Sequence, residues 1–344
     1  MKIDFMMAIE IFDLQIFAMN LNVSTANVDN NHLTPEMKTY YEKDLIEYAE
    51  AELIHDQFAE KYPIPKGAGK TIEFRKFATL AKQLTPLTEG TTPDGQKLDV
   101  TAITATVAQY GGYVAMSDIL QLAAIDPIVV QATKLLGSQA GRTLDTVTRE
   151  VINAGTNVIY APAGTTEIDA RTSVATNSLI TLNVIRKAVL MLRRWNAPRF
   201  DGSYVCIIHP DVAMDVRALE GWIDVVKYGA PDRIYKGEIG MIEGVRFIEN
   251  TEAKIWEEDA SGVSTTTNVY ATNFIGRGAY ATTEIEGGGL QMFAKQLGSA
   301  GTEDPLNQRS TVGWKAIKAA KLLRPEYIVR VESSASNEST AIIT

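Results

Sequence analysis

From Val129 to Ala154, apolar residues recur at steps of three and four without a gap: Val129, Ala132, Leu136, Ala140, Leu144, Val147, Val151 and Ala154. That spacing lays one apolar stripe along an α-helix. Asp126 and Pro127 open the segment as an N-cap acid and a first-turn proline, and Gly155 closes it. The spacing predicts a helix over 127–154, a rod of about 42 Å at 1.5 Å per residue. Its core face is expected to include Val129, Leu136, Leu144, Val147 and Val151. Gly137 and Gly141 weaken the middle of the rod by about 1 kcal/mol each relative to alanine. Glycine there implies close approach of another backbone.

Ahead of the rod, Thr71–Phe77 alternates, with Ile72, Phe74 and Lys76 on one side and Thr71, Glu73 and Arg75 on the other. Val100–Val107 alternates in the same way, with Ile103, Ala105 and Val107 sharing a face. Between them runs a connection with turn chemistry at Pro93-Asp94-Gly95. Compact domains rarely carry so long a connection without structure of its own. It has few charges and several leucines, Leu80, Leu84, Leu87 and Leu98. A long hairpin that finds its partners outside its own chain fits this pattern. The preceding stretch, Pro65-Lys66-Gly67-Ala68-Gly69-Lys70-Thr71, ends like a nucleotide-binding loop. The first glycine of such a loop should fall five positions before Gly69, where Ile64 stands, and a strand follows where a helix is required. The spacing speaks against nucleotide binding and leaves a nucleotide-dependent enzyme as a weakened rival.

Residues 23–60 are polar and then helical, with Thr34-Pro35-Glu36 as a start and Tyr41, Leu45, Tyr48 and Leu53 as a rough stripe. Such a segment buries little by itself and is expected to pack against something else. Residues 179–290 read as a separate α/β unit. A helical stripe runs through Leu182, Ile185, Val189 and Leu192, Ser203–Ile208 is a buried strand, and further strands follow at 244–249, 268–275 and 279–285. Strands at 310–315 and 327–331 return the chain, and the serine-rich residues past 332 are expected to fray.

Little in the chain carries chemistry. His209-Pro210-Asp211 follows a strand and reads as a strand exit with Asp211 capping the next helix. His32, His55 and His209 have no metal-ligand spacing and read as exposed or capping residues. Gly287-Gly288-Gly289 reads as a flexible turn, and no nucleophile elbow is present. Cys206, the one cysteine, sits in an apolar run and reads as core. With 42 acidic and 33 basic residues the formal charge is −9, against a dedicated nucleic-acid binder. Arg186, Lys187, Arg193 and Arg194 leave room for a local polyanion contact. The apolar N-terminal stretch is broken by Asp4, Glu10 and Asp13, so neither a signal peptide nor a membrane span is expected. No catalytic residue, cofactor or metal site is assigned.

Several stretches together resemble the major capsid proteins of tailed bacteriophages, in particular a podophage-type coat protein family. They are Leu33–Lys38, Gly69–Phe77, Pro86–Gly95, Leu136–Thr148, Ala154–Pro162, Gly237–Ala253, Glu284–Leu290 and Gly298–Trp314. The match runs from about residue 23 to 333, and the first 22 residues are atypical. The resemblance implies the α+β fold of tailed-phage capsids, Hong Kong phage-like. Its parts would be an N-terminal arm (1–62), an extended loop hairpin (63–116), a peripheral domain with the spine helix (117–178), an axial domain (179–290) and a return to the peripheral domain with the tail (291–344). It implies self-assembly into hexamers and pentamers of an icosahedral head around double-stranded DNA, touched weakly and without sequence preference. Portal and possible scaffold or decoration proteins are the other implied partners. Shell assembly in the host bacterial cytoplasm and an end state in the virion follow. No fused scaffolding segment is expected.

The resemblance also places Lys66, Lys70, Arg75, Lys76, Leu87, Glu89 and Lys97 on the loop that lies across an adjacent subunit. Gly67, Gly69, Gly111 and Gly112 would be its hinges. An encapsulin-like shell enclosing cargo proteins has the same fold and is the alternative.

Overall fold

The computed structural model describes residues 21–22, 45–46, 48–49, 53–67, 69–78, 80–87, 89–90, 92, 95–123, 128–224, 235, 237–258, 264–299 and 304–337. The expected arm over residues 1–62 therefore lies mostly outside the described residues. So do the Thr34-Pro35 helix start, His32, the Asp126-Pro127 cap and most of the Pro93-Asp94-Gly95 turn.

Two large sheets share the chain. The first has the order β1 (Leu21–Asn22), β5 (Ala108–Ser117), β15 (Arg309–Leu322), β13 (Tyr280–Thr283) and β2 (Glu60–Lys61), with β14 (Gln291–Lys295) also on β15. β15 organises it. Its first ten residues pair antiparallel with β5 on one edge, while β14 and then β13 pair on the other. The second sheet runs β6 (Val158–Tyr160), β16 (Ile328–Ser333), β12 (Ser264–Ile275), β7 (Tyr204–Ile208), β10 (Val245–Glu249), β9 (Glu238–Ile242), β8 (Ile223–Asp224). β11 (Ile255–Glu258) pairs with β12.

β7 shows why the second sheet reads as a continuous apolar run. Tyr204, Cys206 and Ile208 pack beneath the helices α3 (Leu182–Arg194) and α4 (Pro210–Arg217), while Val205 and Ile207 face a cluster with Phe58, Ile152 and Tyr280. A strand covered on both faces has no polar side to show. Burial pushes the Cys206 thiol well above its ordinary value, so it stays a neutral core residue.

A short helix, α1 (Asp118–Ala123), leads to the long helix α2, Ile128–Asn153, which lies on the first sheet. Ala132, Leu136, Ala140 and Leu144 are buried on it. Beyond Leu144 the inward face continues through Thr148 and Ile152. Val147 and Val151, expected in the core, are half-buried on the flank, as is Val129 at the other end. After Leu144 the apolar series steps by three, whereas the inward face holds a step of four. Polar Asp145 and Thr148 therefore face inward. Gly137 is the close-approach position: a Cβ there would stand 2.8 Å from the Leu45 carbonyl oxygen and 2.9 Å from the Tyr48 Cβ. Leu45, Ile46, Tyr48 and Ala49 are helical, and Leu45 and Ala49 join the α2 core.

Two further expectations are corrected. The residues past 332 do not begin to fray there, since Ser333, Ser334 and Ala335 are buried. β16 is paired on both sides, the Ser334 N–H donates to the Ser178 carbonyl (2.9 Å), and the Ser336 N–H donates to the Asp215 carboxylate (2.9 Å). Protein acceptors replace water, so serine is no bar to burial. At α4, His209 rather than Asp211 is the N-cap, its Nδ1 accepting from the Asp211 N–H (3.3 Å).

Candidate assembly surface

β3 (Thr71–Phe77) and β4 (Val100–Thr106) form a separate two-stranded sheet, in register from Thr71 opposite Thr106 to Phe77 opposite Val100. Its root is fixed. Ile64, Val107 and Ala319 make a small core with Ile72, Ile285 and Ile317 around it. The Ile64 N–H donates to the Glu284 carbonyl and the Glu286 N–H donates to the Ile64 carbonyl, both at 2.8 Å. Phe74 meets Tyr62 edge-on at 5.3 Å between ring centroids.

Outward from this root, burial disappears. Phe77 is 58% exposed, Leu98 60%, Leu84 83% and Leu87 77%. The described backbone bonds there are few: the Ala78 N–H donates to the Asp99 carbonyl (3.0 Å), and the Gln96 side chain donates to the Ala81 carbonyl (2.9 Å). Several leucines on a finger without a core of its own form an apolar surface of the kind that marks an interaction site.

The charged residues expected on the loop separate into two groups. Lys66 and Lys70 are exposed at the root, and Glu89 is exposed near the far end. Arg75, Lys76 and Lys97 each have a carboxylate of their own chain, at Glu73 (3.1 Å), Glu326 (2.5 Å) and Asp99 (4.0 Å). Lys76 is thus an internal strut that holds the hairpin against the β15–β16 turn. Burial alone would raise the Glu326 carboxyl, but the hydrogen bond from Lys76, a backbone hydrogen bond and the charges of Lys76 and Arg324 together hold the group below its ordinary value.

Of the expected hinges, Gly67 (φ 86°) and Gly69 (φ 95°) occupy left-handed backbone at the root. Gly111 and Gly112 are corrected. Both lie inside β5, paired with Lys315 and Trp314 of β15. A Cβ on Gly111 would stand 2.7 Å from the Trp314 carbonyl oxygen, and one on Gly112 would stand 2.8 Å from the Gln139 side chain. They are glycine for closeness, not for rotation.

A buried polar network that sequence reasoning missed joins the N-terminal segment to the rest. His55, read as exposed or capping, is fully buried. Its N–H donates to Asp145 Oδ1 (2.7 Å), and its Nδ1 lies 2.6 Å from Asp145 Oδ2. Asn250 Nδ2 donates to the same carboxylate oxygen (3.3 Å), and the Tyr280 hydroxyl donates to the His55 carbonyl. Alongside, Lys318 Nζ meets Asp56 (2.8 Å), and the Thr148 hydroxyl donates to Asp56 (3.2 Å). One 3-10 turn, His55–Phe58, is thereby tied to α2 and to β13, β15 and the end of β10. The only available signal was the pair Asp145 and Thr148 in helical register with Leu144. This clamp is structural. Among the described residues no group of His, Cys, Asp or Glu could hold a metal ion, and no helix is long and apolar enough to cross a membrane.

An α2 rod on a β15-centred sheet, a second sheet with two helices and a projecting hairpin is the architecture of tailed-phage shell subunits. The capsid of Ralstonia phage GP4 superposes with a TM-score of 0.68 at 15% identity, covering 97% of this chain and 100% of that one. The cyanophage Pam1 capsid gives 0.55 at 15% identity (95% and 100% covered), and that of cyanophage P-SCSP1u 0.54 at 13% (94% and 94%). Among curated proteins none matches the sequence. Residues 99–331, more than half of the chain, match the family described as phage capsid protein. The chain belongs to that family. Its role is structural rather than enzymatic.

Proposed function

We propose that copies of this chain assemble as hexamers and pentamers into an icosahedral head enclosing phage double-stranded DNA, with each β3–β4 hairpin lying across an adjacent copy. The observation that carries this is the hairpin itself: anchored at its root, exposing Leu84 and Leu87 at its far end. A finger of that kind gains little from its own chain and much from a neighbour.

In this reading residues 1–62 act as an arm, 63–116 as the loop, 117–178 and 291–344 as the periphery, and 179–290 as the axial unit. Lys66 and Lys70 meet carboxylates of the neighbour, Leu87 and Glu89 engage its surface, and Gly67 and Gly69 let the loop change its angle. Portal and scaffold or decoration proteins complete the particle, and the DNA is enclosed with weak, local contact, as the charge of −9 favours. Assembly takes place in the host cytoplasm. Negative-stain imaging of the purified protein tests it. Closed shells of phage-head size are expected. Monomers or dimers alone would overturn it, and small uniform cages would favour an encapsulin-like shell.

A further inference from the structure

Five arginines lie on or beside three chain segments, distant in sequence, whose turns hydrogen-bond to one another. Arg193 and Arg194 end α3, Arg199 follows in the loop to β7, Arg277 lies between β12 and β13, and Arg324 lies between β15 and β16. Backbone hydrogen bonds lock these turns together. The Arg277 N–H donates to the Pro198 carbonyl (2.9 Å), the Gly276 N–H to that of Tyr327 (2.8 Å), and the Arg324 N–H to that of Ala279 (3.0 Å). A Cβ on Gly276 would stand 2.9 Å from the Ala197 Cβ, so the turns pack as closely as backbones allow.

All five arginines are exposed, and among the described residues no carboxylate lies within ion-pair distance of any of them. Arg199 Nη1 donates to the Gly202 carbonyl (3.4 Å) and its guanidinium lies 5.3 Å from the Tyr204 ring centre, while Arg324 Nη1 donates to the Tyr327 hydroxyl (2.8 Å). Of the nearest acids, Glu326 is held by Lys76 and also feels the charge of Arg324, Glu73 pairs with Arg75, and Glu60 accepts from the Tyr62 hydroxyl. Trp195, next to Arg194 in the chain, is 53% exposed. Arg277 and Arg324 line a groove of about 670 Å³ between the body and the hairpin, whose apolar wall includes Tyr62, Phe74 and Tyr327 and whose charged wall holds Glu60, Glu73, Arg75 and Lys76.

The rest of the chain makes this concentration of charge informative. With a formal charge of −9, setting aside five arginines leaves −9 − 5 = −14 on everything else. Copies that associate must overcome like-charge repulsion, and complementary local patches are how surfaces do so. We propose that this arginine corner, with its groove, receives exposed carboxylates of a second copy of the chain. The inference rests on the shell-forming reading and adds the receiving surface to it. A duplex is the less favoured occupant. It carries one charge per about 1.7 Å and would bring that density against the otherwise acidic surface, including Glu60 and Glu73 in the groove wall, whereas a second copy can offer a few carboxylates and apolar side chains to a groove of mixed lining.

The test compares wild type with R193Q/R194Q/R277Q/R324Q and with the single R277Q by analytical ultracentrifugation at 0.1 and 0.5 M NaCl, with DNA filter binding alongside. Self-association of the quadruple variant should weaken about tenfold or more and lose most of its salt dependence, with R277Q intermediate. Circular dichroism should be unchanged, since the side chains are exposed. Self-association equal to wild type would overturn the proposal, as would loss of DNA retention without loss of self-association. If wild type forms dimers or capsomers but no shells, the shell reading fails. A weaker self-association of the variant would then still support the corner. A strictly monomeric wild type overturns both.

Discussion

Replacing Gly137 by alanine pits helix propensity against packing, and the structure decides the sign. In an open helix alanine would stabilise by about 1 kcal/mol. Here the new Cβ would lie 2.8 Å from the Leu45 carbonyl oxygen and 2.9 Å from the Tyr48 Cβ, distances real Cβ contacts do not adopt. One of the two contacts is backbone, so no rotamer change relieves it. Overpacking of this kind costs about 1–3 kcal/mol. If the Leu45 segment instead lifts away, Leu45, fully buried at present, forfeits about 1.5–3 kcal/mol of burial. Neither path falls below the gain in propensity, giving a net loss of up to about 2 kcal/mol. Urea unfolding of the unassembled protein, followed by tryptophan fluorescence, reads the change as a lower midpoint at unchanged slope. Amide exchange at Leu45 and Ala49 should quicken if the segment is what yields. A midpoint raised by the amount propensity alone supplies would refute the close crossing of Leu45 and α2.

Three other outcomes can be checked. L84S/L87S should leave the urea midpoint within about 0.5 kcal/mol of wild type, because both side chains are mostly exposed, while raising the concentration needed for shells, seen by sedimentation. K318M removes the cation facing Asp56 and should cost about 3 kcal/mol of unfolding free energy; adding D56A should recover part of the loss in the same assay. Burial lowers the His209 pKa from 6.5, so the folded state binds fewer protons than the unfolded chain. Its contribution is then full above pH 6.5 and is lost as pH falls from 6.5 toward the lowered value. H209N keeps an N-cap acceptor without titrating there, and its urea midpoint should fall less than that of wild type between pH 7.5 and 5.5.

The two features most legible in the sequence were those written in local periodicity. The alternation of Ile72, Phe74, Ile103 and Ala105 corresponds to the paired β3–β4 faces, and the stripe through Leu136, Ala140 and Leu144 to the buried side of α2. The stripe misled at its ends, at half-buried Val129 and past Leu144, where valines continued one residue away from the buried register. The polar clamp was out of reach for a different reason. His55 meets Asp145 90 residues away and Tyr280 225 residues away, separations that carry no periodic trace. Gly111 and Gly112 show a third limit: glycine in a string of letters looks alike whether it turns the chain or lets two backbones touch. Only the Trp314 carbonyl opposite Gly111 separates these uses.

The division of the hairpin into a fixed root and a bare end also bears on how strongly one contact of a shell should hold. Phe77, Leu84, Leu87 and Leu98 are more than half exposed, and full burial of each would contribute about 1.5–3 kcal/mol, a gross gain of about 6–12 kcal/mol per hairpin. Fixing the end against a partner and pairing its polar groups would take back a large part of that, so a single docked hairpin would be weak. Weak contacts suit a closed assembly, because each copy makes several and misplaced copies can still leave. The root must behave in the opposite way. Were Ile64, Val107 and Ala319 as exposed as Leu84, the hairpin would have no fixed direction in which to present its leucines, and each docking would have to order the root as well. On the proposed docking, a rigid base with an unsatisfied end would let many modest contacts add up in register.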